Sequence, residues 1–262
     1  MNLKINNMFF SKCIQGAYLV EVVFLGVGGW LSNPSYGQSS ILVLGSTKTI
    51  LLDAGEGTLE KLYKCVKIDV NDIDYILLTH SHGDHVLGLP TIAQHLRRSV
   101  RVIGLRDTLG DLRKIFEALH VENRLQQLVF MEIPLEGREE LEGGIRLEWV
   151  KAKHVIPSIS LVLEMDGVKI AYSGDTSYNP EFLNMAKHVD LLIHEFSVPK
   201  EMENLAGILG HTATTDFERV VMLSKPKRVA PIHYYLEAPK LGLGALENVE
   251  LVIPLPCSKL SF

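Results

Sequence analysis

Short apolar runs bounded by glycine and other turn residues recur along the chain, and segments with helical spacing of apolar positions lie between many of them. Apolar runs of this length are typical of buried strands, whereas apolar residues three and four positions apart indicate a helix. The runs predict strands at residues 19–25, 39–44, 49–53, 75–79, 100–104, 145–152, 158–165, 168–173, 190–194 and 228–232. The helical spacing predicts helices at residues 58–66, 90–98, 108–119, 180–188 and 215–223.

These elements form a strand meander followed by alternating helices and strands, and this order occurs twice along the chain. Asp166-Gly167 predicts a two-residue hairpin turn between two of the later strands. Thr214 or Thr215 is the expected N-cap of the last helix. A meander followed by alternation, repeated once, predicts an α/β fold with two sheets and helices outside.

Length and composition fit one globular unit. The chain has 262 residues, of which 47% are hydrophobic and 22% charged, and its formal net charge is −5. A single core can grow to about 250–300 residues, so residues 19–262 are expected to form one domain. Residues 1–18 are expected to be an N-terminal extension of uncertain role. The mild acidity argues against a protein that holds long nucleic acids by bulk positive charge.

Apolar segments and cysteines give an expectation for localisation. The most apolar early stretch, residues 17–29, is interrupted by Glu21 and is shorter than the about 20 residues that span a bilayer. Cys13, Cys65 and Cys257 are far apart and show no Cys-x-x-Cys spacing, so neither a disulfide framework nor a thiolate metal site is expected. These features predict a cytoplasmic protein that does not engage a membrane.

The densest chemical signal follows the strand predicted at residues 75–79, where one turn presents three histidines and a carboxylate. The segment reads Thr79-His80-Ser81-His82-Gly83-Asp84-His85. A loop can direct its first two histidines to one side and the Asp84-His85 pair to the other, so the turn can serve two neighbouring cations. Zinc accepts histidine nitrogen and carboxylate oxygen, and two ions about 3.5–4 Å apart can bridge a hydroxide. The alternative is an exposed polar turn whose histidines are incidental.

Three later polar residues each follow an apolar run: His154, Asp175 and His233. This placement puts all three at one rim of the sheets, where a rigid scaffold can collect residues that are distant in sequence. Taken singly, His154 also fits a surface residue, Asp175 a helix cap and His233 a buried core histidine. Together with the histidine loop, the three residues indicate a site for two metal ions.

These motifs resemble the metallo-β-lactamase-fold hydrolases, and the resemblance extends over nearly all of residues 19–256. It implies an αββα four-layer sandwich of two mixed sheets with helices outside. Within the superfamily the resemblance points to the ribonuclease Z-like phosphodiesterases. This narrower resemblance rests on Phe24-Leu25-Gly26-Val27-Gly28-Gly29, Leu51-Leu52-Asp53-Ala54-Gly55-Glu56-Gly57-Thr58, His82-Gly83-Asp84-His85 with Gly88-Leu89-Pro90, His194-Glu195 and Gly210-His211-Thr212-Ala213.

The resemblance implies seven metal ligands for two Zn²⁺ ions, with Mn²⁺ or Fe²⁺ as alternatives. These ligands are His80, His82 and His154 for one ion, Asp84, His85 and His233 for the other, and Asp175 between them. Asp84 also counts among the implied catalytic residues. The resemblance therefore agrees with the two-cation site that the polar loop indicates by itself.

The resemblance further implies that His211 is the general acid for the leaving oxygen and that Glu195 orients it. Asp53 follows a strand and fits two interpretations, an acid that orients a ligand histidine or a turn-forming aspartate. His194 alternates with Glu195 on a predicted strand, so the two side chains point to opposite faces and His194 is expected to be structural.

The chain departs from ribonuclease Z in two places. In that family a long Gly- and Pro-rich arm that grips the tRNA elbow lies between the positions of His154 and Asp175, where this chain has only two predicted strands and a hairpin. The segment Ala230-Pro231-Ile232-His233-Tyr234-Tyr235 also replaces the family's Thr-His-Phe-Ser pattern. This second difference alters the surroundings of His233 and of the nucleotide pocket.

The predicted function is that of a dinuclear zinc phosphodiesterase with a metal-bridging hydroxide as nucleophile, acting on a small phosphodiester or nucleotide-like substrate. Two alternatives use the same site, namely a ribonuclease Z-like tRNA 3′-processing endonuclease with a different exosite, and a lactone, ester or thioester hydrolase. A binding protein with an inactive site is disfavoured because the ligand set is complete. RNA as a substrate and a homodimer both stay open.

Two weaker features have alternative interpretations. The arginines between residues 97 and 106 could contact phosphates, although a solvated helix end is favoured. Trp30, Tyr234 and Tyr235 either line the mouth of the pocket or pack in the core. His95, His120 and His188 lie in helical segments away from the motifs and are expected at the surface.

Overall fold

The computed structural model describes residues 19–31, 33–234 and 248–262. The predicted N-terminal extension and Tyr235 lie outside these residues. In the described chain, two seven-stranded sheets pack face to face, and helices cover the outer face of each sheet. This is the αββα sandwich of two mixed sheets that the resemblance implied.

The first sheet has the strand order β14-β1-β2-β3-β4-β5-β6. The pairs from β14 to β3 are antiparallel and the pairs from β3 to β6 are parallel, so the sheet is mixed. Its strands are β1 (Glu21–Gly26), β2 (Ser40–Leu44), β3 (Thr49–Leu52), β4 (Tyr75–Leu77), β5 (Val100–Leu105), β6 (Leu128–Ile133) and β14 (Lys259–Ser261).

The second sheet has the order β13-β12-β11-β10-β9-β8-β7. Here the pairs from β7 to β10 are antiparallel and those from β10 to β13 are parallel. Its strands are β7 (Gly137–Leu141), β8 (Ile145–Lys151), β9 (Ile159–Met165), β10 (Val168–Tyr172), β11 (Leu191–Glu195), β12 (Arg228–Ile232) and β13 (Glu250–Leu251).

The helices lie mostly outside the sheets. They are α1 (Thr58–Lys61), which continues as a π-helix (Leu62–Val66), α2 (Gly83–Val86), α3 (Leu89–His95), α4 (Arg106–Ala118), α5 (Pro180–Met185), α6 (Glu203–Leu209) and α7 (Thr214–Ser224). Short 3₁₀ turns span Val70–Asp72, Glu122–Gln127 and Lys200–Met202. Among the helices of the described residues, none has both the length and the apolar character that a bilayer crossing requires.

Alternation along the strands explains how the layers pack. In β8, Ile145, Leu147 and Trp149 are buried in the core between the sheets, whereas Arg146 and Glu148 point outward and are exposed. The parallel strands are buried on both faces, because one face meets the other sheet and the opposite face meets helices. The core therefore has three apolar layers, one between the sheets and one beneath each set of helices.

The predicted hairpin turn between β9 and β10 is confirmed. Met165 pairs with Val168, and the two residues between them, Asp166 and Gly167, have φ angles of 50° and 80°. Positive φ at both central residues is the requirement of a type I′ turn, which aspartate tolerates and glycine favours.

Six helices and strands were not predicted, namely α2, α6, β6, β7, β13 and β14. Strand β7 lies at a sheet edge, and its central residues Arg138, Glu139 and Glu140 are all exposed, so it shows no apolar alternation. Helix α6 leaves Leu205, Ile208 and Leu209 largely exposed, so it has no clean amphipathic pattern. The expected N-cap of α7 is also wrong, because α7 begins at Thr214 and its capping residue is Ala213.

The expectation that the cysteines form no disulfide is wrong for one pair. Cys65, in the π-helical segment, is bonded to Cys257, which precedes β14, across a sequence separation of 192 residues. The backbone N–H of Cys257 also donates to the carbonyl of Phe24 at 2.8 Å. The covalent bond thus joins the helical layer to the segment that carries the chain back onto β1. Cys13 lies outside the described residues.

Candidate metal centre

All seven predicted ligands lie at one rim of the sandwich, in the segments that follow the strands. His80 comes shortly after β4, Asp175 after β10 and His233 directly after β12. Asp84 and His85 lie on the single turn of α2, which begins immediately after His82. Strands β10 and β12 run parallel in the second sheet, β4 belongs to the parallel part of the first, and the carboxyl ends of all three bring these side chains together.

The predicted ligands form two adjacent groups that share Asp175, and in each group one ligand atom per residue lies within 4.8 Å of the others. We call them the outer group, which consists of His80, His82 and His154, and the inner group, which consists of Asp84, His85 and His233. The structure thus places the residues in the two sets that the resemblance implied. An arrangement of this kind is typical of a dinuclear metal site.

In the outer group, ring nitrogens of the histidines lie 3.1–4.0 Å from one another or from a carboxylate oxygen of Asp175. His154 Nε2 lies 3.1 Å from His82 Nδ1 and 4.0 Å from Asp175 Oδ2. His80 Nε2 lies 3.5 Å from the same carboxylate oxygen. His82 is half-buried, whereas the side chain of His154 is buried.

The inner group is buried throughout. His233 Nε2 lies 3.1 Å from Asp84 Oδ2 and 3.3 Å from Asp175 Oδ2. His85 Nε2 lies 3.3 Å from the other oxygen of Asp175. Two carboxylates and two imidazoles therefore point at one small volume away from solvent.

Four buried ligand atoms make no hydrogen bond, and this is the best evidence that the residues fit cations. These atoms are His80 Nε2, His85 Nε2, Asp84 Oδ1 and Asp175 Oδ1. A buried polar atom without a partner costs free energy. A divalent cation in each group would satisfy these atoms, and imidazole nitrogen with carboxylate oxygen is a donor set that suits zinc.

Protein contacts fix which ring nitrogen of the ligand histidines is available. His85 Nδ1 lies 2.7 Å from Asp53 Oδ2, and His154 Nδ1 lies 2.8 Å from the carbonyl of Gly210. Since these oxygens only accept, each Nδ1 is the donor, and Nε2 is the ring atom that faces the other ligands of the group. Such partners orient metal-binding histidines and set their tautomer.

Asp53 supports two of the ligand histidines through its hydrogen bonds. Its carboxylate accepts from the Thr79 backbone N–H at 2.8 Å, from the Thr79 hydroxyl at 2.9 Å and from the Tyr172 hydroxyl at 2.6 Å. The Thr79 hydroxyl in turn lies 2.9 Å from His80 Nδ1 and accepts from it. Of the two interpretations of Asp53, the geometry fits the orienting acid, and Asp53 reaches one histidine of each group.

The pKa shifts of His82 and His154 in the outer group agree with neutral imidazoles. Burial lowers the pKa of His82 to about 4, with a further contribution from the neighbouring His80. Burial also lowers the pKa of His154 to about 4, against the opposing influence of Asp175. Both rings are therefore unprotonated at neutral pH, which is the state that can bind a metal.

Glu195 and His211 form a second feature next to the ligands. His211 Nδ1 lies 3.1 and 3.2 Å from the two Glu195 oxygens, and 4.0 Å from Asp175 Oδ2. Although burial opposes charge on the ring, Glu195 raises the pKa of His211 to about 9. Glu195 itself is buried and accepts from the backbone N–H groups of Thr176 and Thr212. Glu195 thus orients the His211 ring beside the two groups and favours its protonated form.

Ser197 is a site residue that sequence reasoning missed. Its hydroxyl donates to Glu195 Oε2 at 2.5 Å and lies 2.7 Å from His233 Nδ1, from which it accepts. One side chain therefore connects the inner group with the Glu195-His211 pair. A signal was present, because residues 195 and 197 share a face of an extended chain.

Gly29 explains part of the glycine motif near the start of the described chain. A Cβ atom at Gly29 would lie 2.6 Å from the ring of His233, closer than side chains approach one another. The backbone N–H of Gly29 also donates to the carbonyl of Tyr234 at 3.3 Å. The motif lets the first sheet approach an inner ligand without steric conflict.

The remaining candidates divide between core and surface. His194 is buried against Phe182 and Phe217, with its ring directed away from the metal centre into the outer core, as expected for a structural residue. Tyr234 is buried in the core, whereas Trp30 is 58% exposed at the rim and its ring contacts His82 edge-on.

Three of the four arginines between residues 97 and 106 that were proposed as phosphate contacts bind other groups of the protein. Arg97 pairs with Asp69, Arg98 donates to the carbonyl of Ile73, and Arg101 pairs with Glu142. These contacts support the solvated-surface interpretation of that segment. His95, His120 and His188 are exposed, as expected.

Comparisons with known proteins agree with the fold and the site. Residues 48–234 match the family described as beta-lactamase superfamily domain. Ribonuclease Z of Sulfolobus acidocaldarius is 29% identical in an alignment of 262 positions, gaps included, which covers 82% of this chain and 88% of that protein.

Two solved structures share the fold. The short form of human tRNase Z superposes with a TM-score of 0.74 at 22% identity, covering 92% of this chain and 98% of that chain. Zn²⁺-bound PqqB from Methylobacterium extorquens superposes with a TM-score of 0.72 at 15% identity, covering 92% of this chain and 100% of that chain.

An αββα sandwich with a His/Asp cluster of this geometry at its rim defines a class of metal-dependent hydrolases. The chain belongs to the metallo-β-lactamase superfamily, and ribonuclease Z proteins are among its relatives.

Proposed function

We propose that this chain is a phosphodiesterase that uses two zinc ions, one held by the outer group and one by the inner group, with Asp175 between them. The Glu195-His211 pair beside the cluster carries the proposal. Fold and metal ligands alone suit many hydrolytic reactions. A positioned acid suits a reaction whose leaving group is a poor alkoxide that needs a proton. The ribonuclease Z relatives and the zinc-bound PqqB structure support the reaction class and the metal.

The residues of the chain provide orientation and a proton. When bound, two cations would lower the pKa of a water molecule and offset negative charge on the phosphoryl oxygens. Glu195 accepts a hydrogen bond from His211 Nδ1, which leaves Nε2 as the atom that delivers a proton to the departing oxygen. Because Glu195 is buried, bulk water does not compete for this hydrogen bond.

The test compares leaving groups in wild type and His211→Ala. Turnover of a dinucleoside monophosphate, whose alkoxide needs a proton, is expected to fall by about 10²–10⁴-fold in the variant. Turnover of bis(4-nitrophenyl) phosphate is expected to fall much less, because nitrophenolate leaves without a proton. Exposed His120→Ala is the matched control, and bound metal is measured in all three proteins.

Two results would contradict the proposal. Equal loss on both substrates, or no loss on either, would remove His211 as the acid. If freshly purified protein held no metal and cleaved no diester, the assignment as a metal-dependent phosphodiesterase would be wrong.

Transfer-RNA 3′-end processing is the second candidate, and the ribonuclease Z relatives favour it. Between His154 and Asp175 the chain holds only β9, β10 and their hairpin, so no long arm is present at that position. A pre-tRNA assay run beside the small diester separates the two candidates, because a processing enzyme should strongly prefer the RNA. Faster turnover of a lactone or thioester than of any diester would instead favour a lactone, ester or thioester hydrolase.

A further inference from the structure

A groove of about 570 Å³ borders the metal centre on the side of His154 and Gly210. It lies between the loop that follows β8 and helix α6. The hydrogen bond from His154 Nδ1 to the Gly210 carbonyl, 2.8 Å long, joins its two walls next to the outer group. His211 follows Gly210 directly, so the groove begins beside the proposed acid. A substrate held at the centre therefore has room to extend on this side.

The first wall of the groove carries Lys151 and Lys153. Their backbone is fixed, because Asn179 Nδ2 donates to the Lys151 carbonyl at 2.9 Å and the Ser177 N–H donates to the Lys153 carbonyl at 3.0 Å. Ala152 between them is buried. Two lysines two positions apart are therefore presented from a rigid segment and not from a mobile loop.

The two ammonium groups have no carboxylate partner. Lys169 and Lys227, elsewhere on the same sheet, pair with nearby acidic residues, whereas neither Lys151 nor Lys153 forms an ion pair within the described residues. Glu181 is the one acidic residue among those that line the groove. The lining therefore carries an excess of positive charge next to a centre that would itself hold two cations.

Each wall also presents one aliphatic side chain. Ile208 of α6 lines the groove and is 74% exposed, and Val155, which is 58% exposed, lies near the boundary with the centre. Large aliphatic side chains exposed beside a polar centre are typical of a surface that receives part of a ligand. The groove thus offers two ammonium groups for an anionic group and two aliphatic side chains for the sugar or base that carries it.

We propose that this groove binds a second phosphate group of the substrate, one sugar unit away from the phosphate that is cleaved, with the sugar or base against Val155 and Ile208. Lysine ammonium groups bind phosphate as point charges. The inference rests on the proposed phosphodiesterase activity and adds a substrate class to it, a diester that carries a further phosphate.

The experiment uses three substrates that differ by one group: thymidylyl-thymidine, the same compound with a 5′-phosphate, and the same compound with a 3′-phosphate. Wild type is expected to cleave one of the phosphorylated forms with a higher kcat/KM than the unphosphorylated form. Lys151→Ala/Lys153→Ala is expected to lose about tenfold of that preference, which is the scale of two partly exposed charge contacts. Lys64→Ala/Lys187→Ala removes two exposed lysines elsewhere and should keep the preference.

A binding measurement separates failure of this site from failure of the proposed function. Calorimetry with the metal-loaded protein compares thymidine 3′,5′-bisphosphate with thymidine 5′-monophosphate, and needs no catalysis. Tighter binding of the bisphosphate that disappears in the double variant supports the site even if no diester is cleaved.

Three outcomes overturn the proposal. These are no preference for the extra phosphate in wild type, a preference that persists without Lys151 and Lys153, and an equal loss in the Lys64/Lys187 control. The last outcome would show that overall charge, and not this groove, is responsible.

Discussion

The outer and inner groups differ in how the protein holds them. The inner group is buried and is oriented by side chains, since Asp53 contacts His85 directly and Ser197 contacts His233. The outer group includes the half-buried His82, and its support is less direct. His154 donates to the Gly210 carbonyl, and His80 is connected to Asp53 only through the Thr79 hydroxyl. Deep, direct support predicts the tighter cation site in the inner group.

The largest expected effect is at Asp175, which belongs to both groups. Asp175→Asn keeps the shape of the side chain but removes the charge between the two cations. Bound metal is expected to fall below one ion per chain, and diester turnover by about 10³-fold, because the ions supply several kcal/mol of transition-state stabilisation. Elemental analysis and steady-state kinetics measure both quantities. Exposed Glu139→Gln removes one charge from edge strand β7 as the control.

Asp53→Asn tests whether the inner group depends on direct support. Loss of the carboxylate is expected to weaken the inner ion about 10–100-fold and the outer ion less, because His80 contacts Asp53 through Thr79. Stepwise Co²⁺ titration followed by visible absorption resolves the two sites. Tyr172→Phe keeps the carboxylate and loses one donor to it, so its effect should be smaller. An equal loss of affinity for both ions would show that direct contact with Asp53 does not distinguish the inner group from the outer group.

The clustering of the seven proposed ligands could be predicted because their signals are local. Three histidines and Asp84 lie within six consecutive residues after an apolar run, and His154, Asp175 and His233 each follow a strand with a recognisable apolar pattern. Within the second sheet β8, β10 and β12 run in the same direction, so their carboxyl ends lie at the same edge. The fold was predictable for the same reason, since buried central strands such as β4, β11 and β12 carry the clearest apolar signal.

What the sequence did not predict depends on contacts between distant residues or on weak patterns. Cys65 and Cys257 are separated by 192 residues, and no spacing rule links them. Helix α6 and edge strand β7 leave apolar and charged residues in solvent without a regular period. Trp30 and Tyr234 had the same two interpretations in the sequence, and only the packing separates the exposed rim residue from the buried core residue.

Ser197 provides a sharper test, because it joins the inner group to the acid pair. In Ser197→Ala, His233 Nδ1 and Glu195 Oε2 lose their shared partner, and the buried groups are left unpaired at a cost of about 1–3 kcal/mol. We expect about tenfold weaker binding of the inner ion, with little change in the outer ion. Ser197→Thr restores the hydroxyl and should recover the affinity. An alanine variant with unchanged metal affinity would show that the Ser197 contact does not orient the ligand.

The smallest effect on the centre is expected from the disulfide. Cys65→Ser removes a disulfide that joins residues 192 positions apart. On a chain-entropy estimate, this loss lowers the free energy of unfolding by up to about 5 kcal/mol. Metal content and turnover at 25 °C should stay unchanged, because the bond joins the helical layer to β14 and not to either group. Chemical denaturation measures the loss of stability. Loss of metal in the folded variant would show that the bond also supports the centre.

The most direct test of the account is anomalous X-ray diffraction at the zinc edge from crystals of the zinc-loaded protein. The account predicts two peaks per chain, one bounded by His80, His82 and His154 and one bounded by Asp84, His85 and His233, with Asp175 contacting both. At limiting zinc, the inner peak should be the stronger of the two. A single peak, or peaks outside these two groups, would contradict the dinuclear centre.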